Sequence, residues 1–229
     1  TMADDALFDA SEEKTFLTGR PFREFADPAP LDKHGPATVL SMVNQKGGVG
    51  KTTSTINLGA CLAEQGRKVL LVDLDPQGAL SAGLGVSHDE EQVTVYDLLF
   101  DNTTSIHSAI RHSNVSGLDL VPANIDLSAA EIQLVNEVGR EHTLARALRP
   151  VRNEYDIIII DCGPSLGLLT VNALACSQGV IIPMECEYFS LRGLALLTDT
   201  VEKVRDRINF DLDIVGILVT MFDLSLIHI

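Results

Sequence analysis

The chain has 229 residues, 45% of them hydrophobic, which is enough for one large domain with a sizeable core. A net charge of −15 repels nucleic acid over most of the surface, so any contact with DNA must use a local basic patch. No apolar run reaches the roughly 18 residues of a membrane helix, and the acidic start is unlike a secretory signal, so we expect a soluble, cytoplasmic protein.

The two ends of the chain differ from its middle. Residues 1–37 carry four prolines among many charges and no sustained apolar period, which predicts a disordered or extended tail. Because Thr1 precedes Met2, we expect the biological start to lie elsewhere. The last six residues, LSLIHI at 224–229, match a translated transposon-end adapter used in preparing sequencing libraries, so we expect the natural gene to continue after residue 223.

Between residues 38 and 223, short β-branched runs alternate with helical segments. The predicted strands are 38–44, 68–73, 118–123, 155–161, 179–183 and 213–220. These runs are apolar throughout, which is typical of a parallel sheet covered by helices on both faces. The predicted helices include 53–65, 128–138, 166–177 and 190–208, the second starting at a capping box of Ser128 and Glu131. The pattern predicts a three-layer α/β domain.

The cysteines and histidines predict neither a disulfide framework nor a metal centre. The four cysteines are Cys61, Cys162, Cys176 and Cys186, which are far apart and include no CxxC pair. The six histidines show no HExxH or paired spacing. We therefore expect four reduced thiols and no histidine-based metal site.

A glycine loop follows the first predicted strand. The loop, NQKGGVGKTT at 44–53 and hereafter the phosphate loop, stands between a strand and a helix, an arrangement that cradles phosphates. Its N–H groups attract anions, while Lys51 reaches the β- and γ-phosphates and the Thr52 hydroxyl binds Mg²⁺. The predicted phosphate-binding residues are Gly47, Gly48, Val49, Gly50, Lys51, Thr52 and Thr53. The general formula has glycine where this chain has Gln45.

Carboxylates stand at the ends of two predicted strands. Asp73 and Asp75 come at the end of the second strand, and Asp161 ends the strand at 155–161. Ligands of an open parallel sheet bind at the carboxyl ends of its strands, so we expect these carboxylates to converge on the phosphates. Asp161 is expected to hold Mg²⁺ through water, and Asp75 to orient the attacking water.

Five segments make the chain resemble a known family. They are KGGVGKTT at 46–53, VLLVDLDPQG at 69–78, VPANIDLSAAE at 121–131, IIIIDCGPSLGLLTVNAL at 157–174 and ECEYFSLRGLALL at 185–197. In these words the chain resembles the ParA/MinD family of deviant Walker ATPases, and within it the ParA/Soj chromosome-partitioning branch of actinobacterial type. The resemblance implies a P-loop NTPase fold, ATP and Mg²⁺ as cofactors, and ATP hydrolysis that is weak without partner and DNA.

The resemblance also gives a role to a second lysine of the loop. In the family, two subunits enclose two ATP molecules, and the lysine that matches Lys46 crosses to the partner's nucleotide while the one that matches Lys51 acts in cis. A charge so early in the loop is badly placed for its own β- and γ-phosphates, which agrees with a role in trans. The implied catalytic residues are Lys46, Lys51 and Asp75, in a homodimer that forms with ATP.

A DNA switch is a further implication of the family. Its ATP dimer binds DNA without sequence specificity, and hydrolysis stimulated by a ParB-like partner releases it, so we expect a nucleoid-associated protein with no membrane partner. The residues that match the family's DNA face are Arg192, Lys203, Arg205 and Arg207. Basic residues in the last turn of a helix are as often partners of the helix dipole. More of that face would follow residue 223, so we expect this chain to bind DNA weakly or not at all.

Two residues depart from the family pattern, and three other functions stay open. Gly163 stands where many relatives have proline, and Glu185 stands where many have glutamine, which we expect to change the loop after Asp161 and the dimer contacts. The first alternative is a MinD-like ATPase that binds membrane through a C-terminal amphipathic helix. The others are an iron–sulfur carrier, against which the lack of CxxC argues, and a non-catalytic ATP-dependent scaffold.

Overall fold

A mostly parallel sheet forms the middle layer of the molecule. The computed structural model describes residue 26 and residues 28–86, 92–186 and 190–221, except the side chains of 190 and 191. In chain order its strands are β1 (Thr38–Met42), β2 (Val69–Leu74), β3 (Arg111–His112), β4 (Leu118–Val121), β5 (Ile157–Cys162), β6 (Gly179–Glu185) and β7 (Asp213–Thr220). Their order in the sheet is β3-β4-β2-β5-β1-β6-β7. Only the β3–β4 pair among these is antiparallel.

Helices cover both faces of this sheet. They are α1 (Lys51–Glu64), α2 (Ala79–Gly83), α3 (Val95–Phe100), α4 (Ile106–Ala109), α5 (Leu127–Leu134), α6 (Thr143–Leu148), α7 (Leu168–Cys176) and α8 (Ser190–Arg207), with 3-10 turns at Arg140–His142 and Arg149–Val151. Helices α1 and α2 lie on one face, and the rest pack on the other. None of the helices in the described residues is both long and apolar enough to cross a membrane.

The two cores follow from the alternation of side chains along the strands. In β2, Val69 and Leu71 point into the core under α1, whereas Leu70 and Val72 point into the core under the other helices. All six residues of β2 are buried, as expected for a strand covered on both faces. The predicted three-layer α/β architecture is therefore confirmed.

A close approach of α1 to the sheet depends on Gly59. A Cβ added at this residue would lie 2.9 Å from a methyl group of Leu71 and 3.1 Å from one of Leu118. Any larger side chain would force the helix and the sheet apart. Because α1 begins at the end of the phosphate loop, this close packing also fixes where the loop stands on the sheet.

One predicted helix start is wrong. Helix α5 begins at Leu127 after Asp126, and no side chain caps it, so Ser128 and Glu131 do not form a capping box. The Glu131 carboxylate instead accepts a hydrogen bond of 3.3 Å from the Ser165 hydroxyl, in the loop after β5. A capping box is present at Thr94, before α3, where the sequence analysis predicts none.

The predicted boundary between the N-terminal tail and the domain, at residue 37, lies too late in the chain. The carboxylate of Asp156 accepts hydrogen bonds from the His34 ring at 2.8 Å and from the Gly35 N–H at 3.0 Å. Ala37 is buried in the core. Residues 34–37 therefore belong to the domain, because Asp156 attaches them to the amino end of β5. Residues 1–25 and 27 of the predicted tail, and the predicted adapter at 224–229, lie outside the described residues.

Candidate nucleotide-binding site

The phosphate loop leaves the sheet next to its central strand. Strand β1, which precedes the loop, pairs Met42 with Asp161 of β5, so the loop emerges beside that carboxylate. Gly48 and Gly50 have φ angles of 75° and 81°, a left-handed conformation that favours glycine. A Cβ added at Gly47 or Gly48 would meet no atom within 4 Å. The loop is thus open on the side where its glycines lie, as a ligand approaching the backbone requires.

Lys51 lies inside the loop. Its side chain is 7% exposed, and its Nζ donates a hydrogen bond of 3.0 Å to the carbonyl of Lys46. Burial lowers the pKa of Lys51, while the nearby charges of Asp161 and Asp75 oppose that shift. The loop therefore holds a cation close to its own backbone and next to two carboxylates, as expected for a lysine that binds phosphate in cis.

The two predicted magnesium ligands lie together. The Thr52 hydroxyl donates a 2.7 Å hydrogen bond to Asp161, and the Thr55 hydroxyl is 3.3 Å from the other oxygen of that carboxylate. Burial raises the pKa of Asp161 to about 7, against the effect of the bond from Thr52. A hydroxyl and a carboxylate supply oxygen ligands of the kind that Mg²⁺ prefers, and phosphates and water would complete the coordination. The residues present therefore fit the predicted ion.

The two aspartates at the end of β2 have different surroundings. Asp73 is fully buried, and one of its oxygens accepts bonds from the Ser81 N–H at 2.9 Å and from the Ser81 hydroxyl at 2.7 Å. Burial raises the pKa of Asp73, and the bonds from Ser81 oppose it. This carboxylate is bonded to the start of α2 and lies beside its sheet partner Asp161, so its convergence on the phosphates stays a prediction. Asp75 is partly exposed and accepts a 3.0 Å bond from the Gln77 N–H.

A small cavity lies beside Asp75. Its volume is about 290 Å³, and Asp75, Glu131, Gly163 and Ser165 are among the residues that line it. A Cβ added at Gly163 would lie 3.5 Å from the Asp75 carboxylate, which is ordinary contact distance. The loop after β5 therefore faces Asp75 directly. Glu131, predicted only as a helix cap, is a wall of this cavity that sequence reasoning missed.

Lys46 points away from Lys51. Its side chain is 43% exposed, and its Nζ contacts the carboxylate of Glu185 at the end of β6. The Lys46 N–H donates a 2.9 Å bond to the Asn44 side chain, and the Asn44 amide donates a 2.7 Å bond to the Pro183 carbonyl. The first half of the loop is therefore attached to β6, and its lysine lies on the outer side of the site.

Two further contacts connect the loop to the last elements of the described chain. The Thr220 hydroxyl, at the end of β7, donates a 2.9 Å bond to the Val49 carbonyl. A Cβ added at Gly193, in the first turns of α8, would lie 2.8 Å from the side-chain nitrogen of Gln45. Gln45, which departs from the general loop formula, is therefore a contact residue between the loop and α8.

The four predicted DNA-binding residues are not grouped together. Arg192 lies near the start of α8, roughly 16 to 22 Å along the helix axis from the other three. Lys203 pairs with Asp199 at 2.6 Å, and Arg205 lies 3.9 Å from both Asp206 and Asp213. Arg192 and Arg207 are exposed. The basic end of α8 is therefore partly neutralised by carboxylates of the same chain.

The cysteines are divided between the core and the surface. Cys162 and Cys176 are buried, and burial raises the pKa of both thiols, that of Cys176 to about 12. Cys61 and Cys186 are exposed. Within residues 28–86, 92–186 and 190–221, no group of three or more histidines, cysteines or acidic residues could hold a metal ion.

The fold and the loop together define a P-loop nucleotide-binding domain. Residues 37–214 match the model of the AAA domain family. The chain is also 52% identical over 185 residues to the sporulation initiation inhibitor protein Soj of Bacillus subtilis, covering 81% of this chain and 73% of Soj. The chain therefore belongs to the AAA domain family, in its ParA/Soj branch, as the five sequence motifs predict.

A second relative is more similar but longer. The chain is 70% identical over 207 residues to an uncharacterized protein of Mycobacterium tuberculosis, covering 90% of this chain. The chain spans 65% of the length of that relative.

Solved structures give the same fold. A cobyrinic acid a,c-diamide synthase of Mycobacterium smegmatis with bound ADP and magnesium aligns with a TM-score of 0.79 and 43% identity, over 82% of this chain and 76% of that one. The same protein has been solved with an ATP analogue and magnesium. A plasmid partition protein of Borrelia burgdorferi aligns with a TM-score of 0.71 and 30% identity, over 82% of this chain and 80% of that one. The predicted cofactors, ATP and Mg²⁺, are thereby confirmed at the level of the family.

Proposed function

We propose that this chain is an ATPase that dimerises with ATP and acts as a DNA-binding switch in chromosome or plasmid partitioning. The observation that carries the proposal is the divergence of the two loop lysines, with Lys51 buried inside the loop and Lys46 exposed on its outer side. The names of two relatives, Soj of Bacillus subtilis and the plasmid partition protein of Borrelia burgdorferi, support the same reading.

The residues around the loop divide the work of hydrolysis. Lys51 binds the β- and γ-phosphates of the nucleotide in its own subunit, and the loop N–H groups orient them. Thr52 and Asp161 would hold a magnesium ion, which would neutralise phosphate charge. Asp75, next to the loop after β5, holds the attacking water in line with the γ-phosphate. We therefore assign the hydrolytic water to the side of the site where the cavity lies.

Lys46 completes the site of a second copy. A cation on the outer side of the loop lies away from its own phosphates, on the side that a facing subunit would approach. A cation supplied in trans contributes roughly 10³ to 10⁵ in rate in related phosphoryl transfers. The phosphates of ATP supply the negative charge to which the crossing lysines bind, so the dimer forms only with nucleotide.

Substitution of each lysine tests this division. We expect Lys51→Ala to weaken ATP binding strongly, because the cation inside the loop is lost. Lys46→Ala is expected to bind ATP within a few-fold of the parent while losing both the dimer and turnover. The measurements are ATP binding by fluorescence, mass by sedimentation, and phosphate release without any acid or amide donor. Normal turnover and dimerisation of Lys46→Ala would overturn the proposal.

A mixing experiment separates action in trans from action in cis. Asp75→Ala removes the water-positioning carboxylate but keeps Lys46, and Lys46→Ala keeps Asp75. Each variant alone should be inactive. An equal mixture should regain turnover, up to about half that of the parent if every subunit enters a mixed dimer, since each mixed dimer contains one complete site and one crossing lysine. If Lys46 acts in cis, the mixture stays inactive.

The DNA step is tested separately. We propose that exposed basic side chains of α8 contact phosphates of DNA in the ATP dimer and that a ParB-like partner stimulates release, which places the protein at the nucleoid. Arg207→Ala should lower the slope of log affinity against log salt by about 0.9 if Arg207 contacts one phosphate. Arg149→Ala, another exposed arginine, is the control. Since weak binding is expected of this chain, the measurement is made at low salt, and absence of ATP-dependent DNA binding even there would remove this step and leave the ATPase dimer standing.

The same assays address the other candidate functions. Phosphate release that depends on ATP and Mg²⁺ would exclude a non-catalytic scaffold. Binding to anionic lipid vesicles in the ATP state, without binding to DNA, would favour a MinD-like function. Phosphate release only in the presence of an acid and an amide donor would favour an amide synthase, the activity in the name of the Mycobacterium smegmatis neighbour.

A further inference from the structure

Glu185 lies against the outward lysine of its own chain. It is the last residue of β6, and its carboxylate accepts a hydrogen bond from the Nζ of Lys46. Its side chain is 18% exposed, against 43% for Lys46. The pair joins residues 139 positions apart in sequence, so it connects the phosphate loop to the carboxyl end of a strand.

The surroundings of this pair keep the two side chains in reach of each other. The Asn44 side chain accepts a bond from the Lys46 N–H and donates one to the Pro183 carbonyl, two residues before Glu185. The Asn44 side chain therefore connects the backbone next to Lys46 with the backbone of β6 near Glu185. When the backbones of both residues are held in place, forming an ion pair costs less conformational entropy than when both residues are mobile.

We propose that Glu185 is a positioning residue that holds Lys46 in cis and so raises the ATP concentration at which two copies associate. This inference rests on the proposed function, in which Lys46 binds the nucleotide of a facing subunit. One ammonium group cannot stay on Glu185 and also reach across a dimer interface. The dimer therefore forms only after both subunits have given up this ion pair.

Breaking the pair has a second consequence. Once Lys46 has moved, the Glu185 carboxylate remains mostly buried at a surface that receives phosphate groups. A carboxylate without its cation is costly to cover, and it repels phosphate oxygens. Glutamine at this position would keep the shape and hydrogen-bonding capacity of the side chain without the charge. The acid therefore opposes the ATP dimer in two ways, by holding the lysine and by its own charge.

The test compares Glu185→Gln with the parent in a titration with a non-hydrolysable ATP analogue and Mg²⁺, with dimer mass measured by sedimentation velocity. Partly exposed ion pairs typically change an equilibrium by about two- to fivefold. Because a dimer must break two of them, its association constant should rise roughly 4- to 25-fold, and because it takes up two nucleotides the midpoint should fall by the square root of that factor, about two- to fivefold. Glu141→Gln, which removes the same charge from the pair with Arg140 far from the loop, should leave the midpoint unchanged.

A double substitution shows whether Glu185 acts through Lys46. Because a Lys46→Gln background is not expected to dimerise, the readout here is the free energy of unfolding of the nucleotide-free chain: Glu185→Gln should change it much less in that background than in the parent, whereas a purely structural role would give the same change in both. Glu185→Asp retains the charge on a shorter side chain and should give an intermediate midpoint, which also serves if the glutamine variant folds poorly. An unchanged or higher midpoint for Glu185→Gln would overturn the inference. A parent that never dimerises with nucleotide would instead overturn the proposed function, and this inference with it.

Discussion

At the amino end of β5, Asp156 is surrounded by hydrogen-bond donors. At the carboxyl end of the same strand, Asp161 is buried and has few such donors around it. The carboxylate of Asp156 accepts bonds from the His34 ring, the Gly35 N–H and the Lys68 N–H, at 2.8 to 3.0 Å. Burial opposes ionisation of Asp156, but these bonds outweigh it and lower its pKa. Burial dominates for Asp161 and raises its pKa to about 7.

The difference separates a structural carboxylate from one that is prepared for a ligand. Asp156 is stabilised as an anion by the folded chain itself, so it attaches the N-terminal segment to the sheet. Asp161 is 1% exposed, and its anion is stabilised by the Thr52 hydroxyl, the charge of Lys51 and the Thr55 hydroxyl less than burial and the charge of Asp73 destabilise it. A bound cation would supply the missing compensation. The same side chain thus contributes to stability at one end of the strand and to binding at the other.

The largest expected effect comes from Asp161→Asn. Removing the anionic ligand should lower kcat/KM for ATP by on the order of 100-fold or more. Stability should change in the opposite direction. The pKa of Asp161 is about 7 in the folded state against an ordinary 3.8. Its effect on the free energy of unfolding is therefore increasingly unfavourable as pH rises from 3.8 to about 7, and constant above that.

The neutral side chain should therefore raise the free energy of unfolding at pH 8, without Mg²⁺, by on the order of 1 kcal/mol. Urea unfolding and phosphate release on the same samples check both directions. A variant that loses stability would contradict this prediction, because Asp161 would then be stabilised as an anion by the folded chain, as Asp156 is.

The reverse pattern is expected for Asp156→Asn. The variant loses charge-assisted bonds to His34, Gly35 and Lys68, so the free energy of unfolding should fall by about 1 to 3 kcal/mol. Turnover per folded molecule should stay unchanged, because Asp156 lies at the opposite end of the sheet from the site. Urea unfolding, and an ATPase assay well below the melting temperature, separate the two quantities. Loss of turnover in fully folded protein would contradict this assignment.

The pH dependence of that loss sharpens the contrast. The pKa of Asp156 is lower in the folded state than its ordinary value of 3.8, so its stabilising contribution is fully present above that value. The contribution is lost as pH falls through the folded pKa. The difference in unfolding free energy between parent and Asp156→Asn should therefore be constant from pH 5 to 8 and shrink below about pH 3.8. A difference that grew as the pH fell would mean that folding raises the pKa of Asp156 instead of lowering it.

A smaller effect is expected from Thr220→Val, which keeps the shape of the side chain and removes its bond to the Val49 carbonyl. We expect KM for ATP to rise about two- to fivefold with little change in kcat, since one hydrogen bond that holds the loop is worth about 1 kcal/mol or less. Thr200→Val removes a hydroxyl that bonds only within α8, to the Leu196 carbonyl, and is the matched control. Equal effects of the two variants would argue against a role of β7 in holding the loop.

Much of the fold could be predicted because its signals are local. Each buried strand is a short run of mostly apolar residues, and the phosphate loop is one uninterrupted motif between a strand and a helix. Short elements gave no such signal. Helix α4 has four residues, about one turn, which is too few for a helical period to be seen.

The parts of the site that sequence reasoning missed depend on distant partners. The pair of Lys46 and Glu185 joins positions 139 residues apart, and nothing in either local sequence indicates the other. Ser128 and Glu131 have the spacing of a capping box, but the Glu131 carboxylate accepts a bond from Ser165 instead. The contact with Ser165 takes the place of the local capping bond, and only the three-dimensional structure shows which of the two forms.

The position of β5 in the sheet has a consequence for how the molecule opens. In the order β3-β4-β2-β5-β1-β6-β7, three of the described strands lie on each side of β5. Fluctuations that expose backbone amides to solvent begin at the edges of a sheet and reach its middle only in larger openings. Amide protons of β5 should therefore be among the slowest in the chain to exchange with deuterated water. Asp161 is carried by backbone that stays closed while β3 and β7 open.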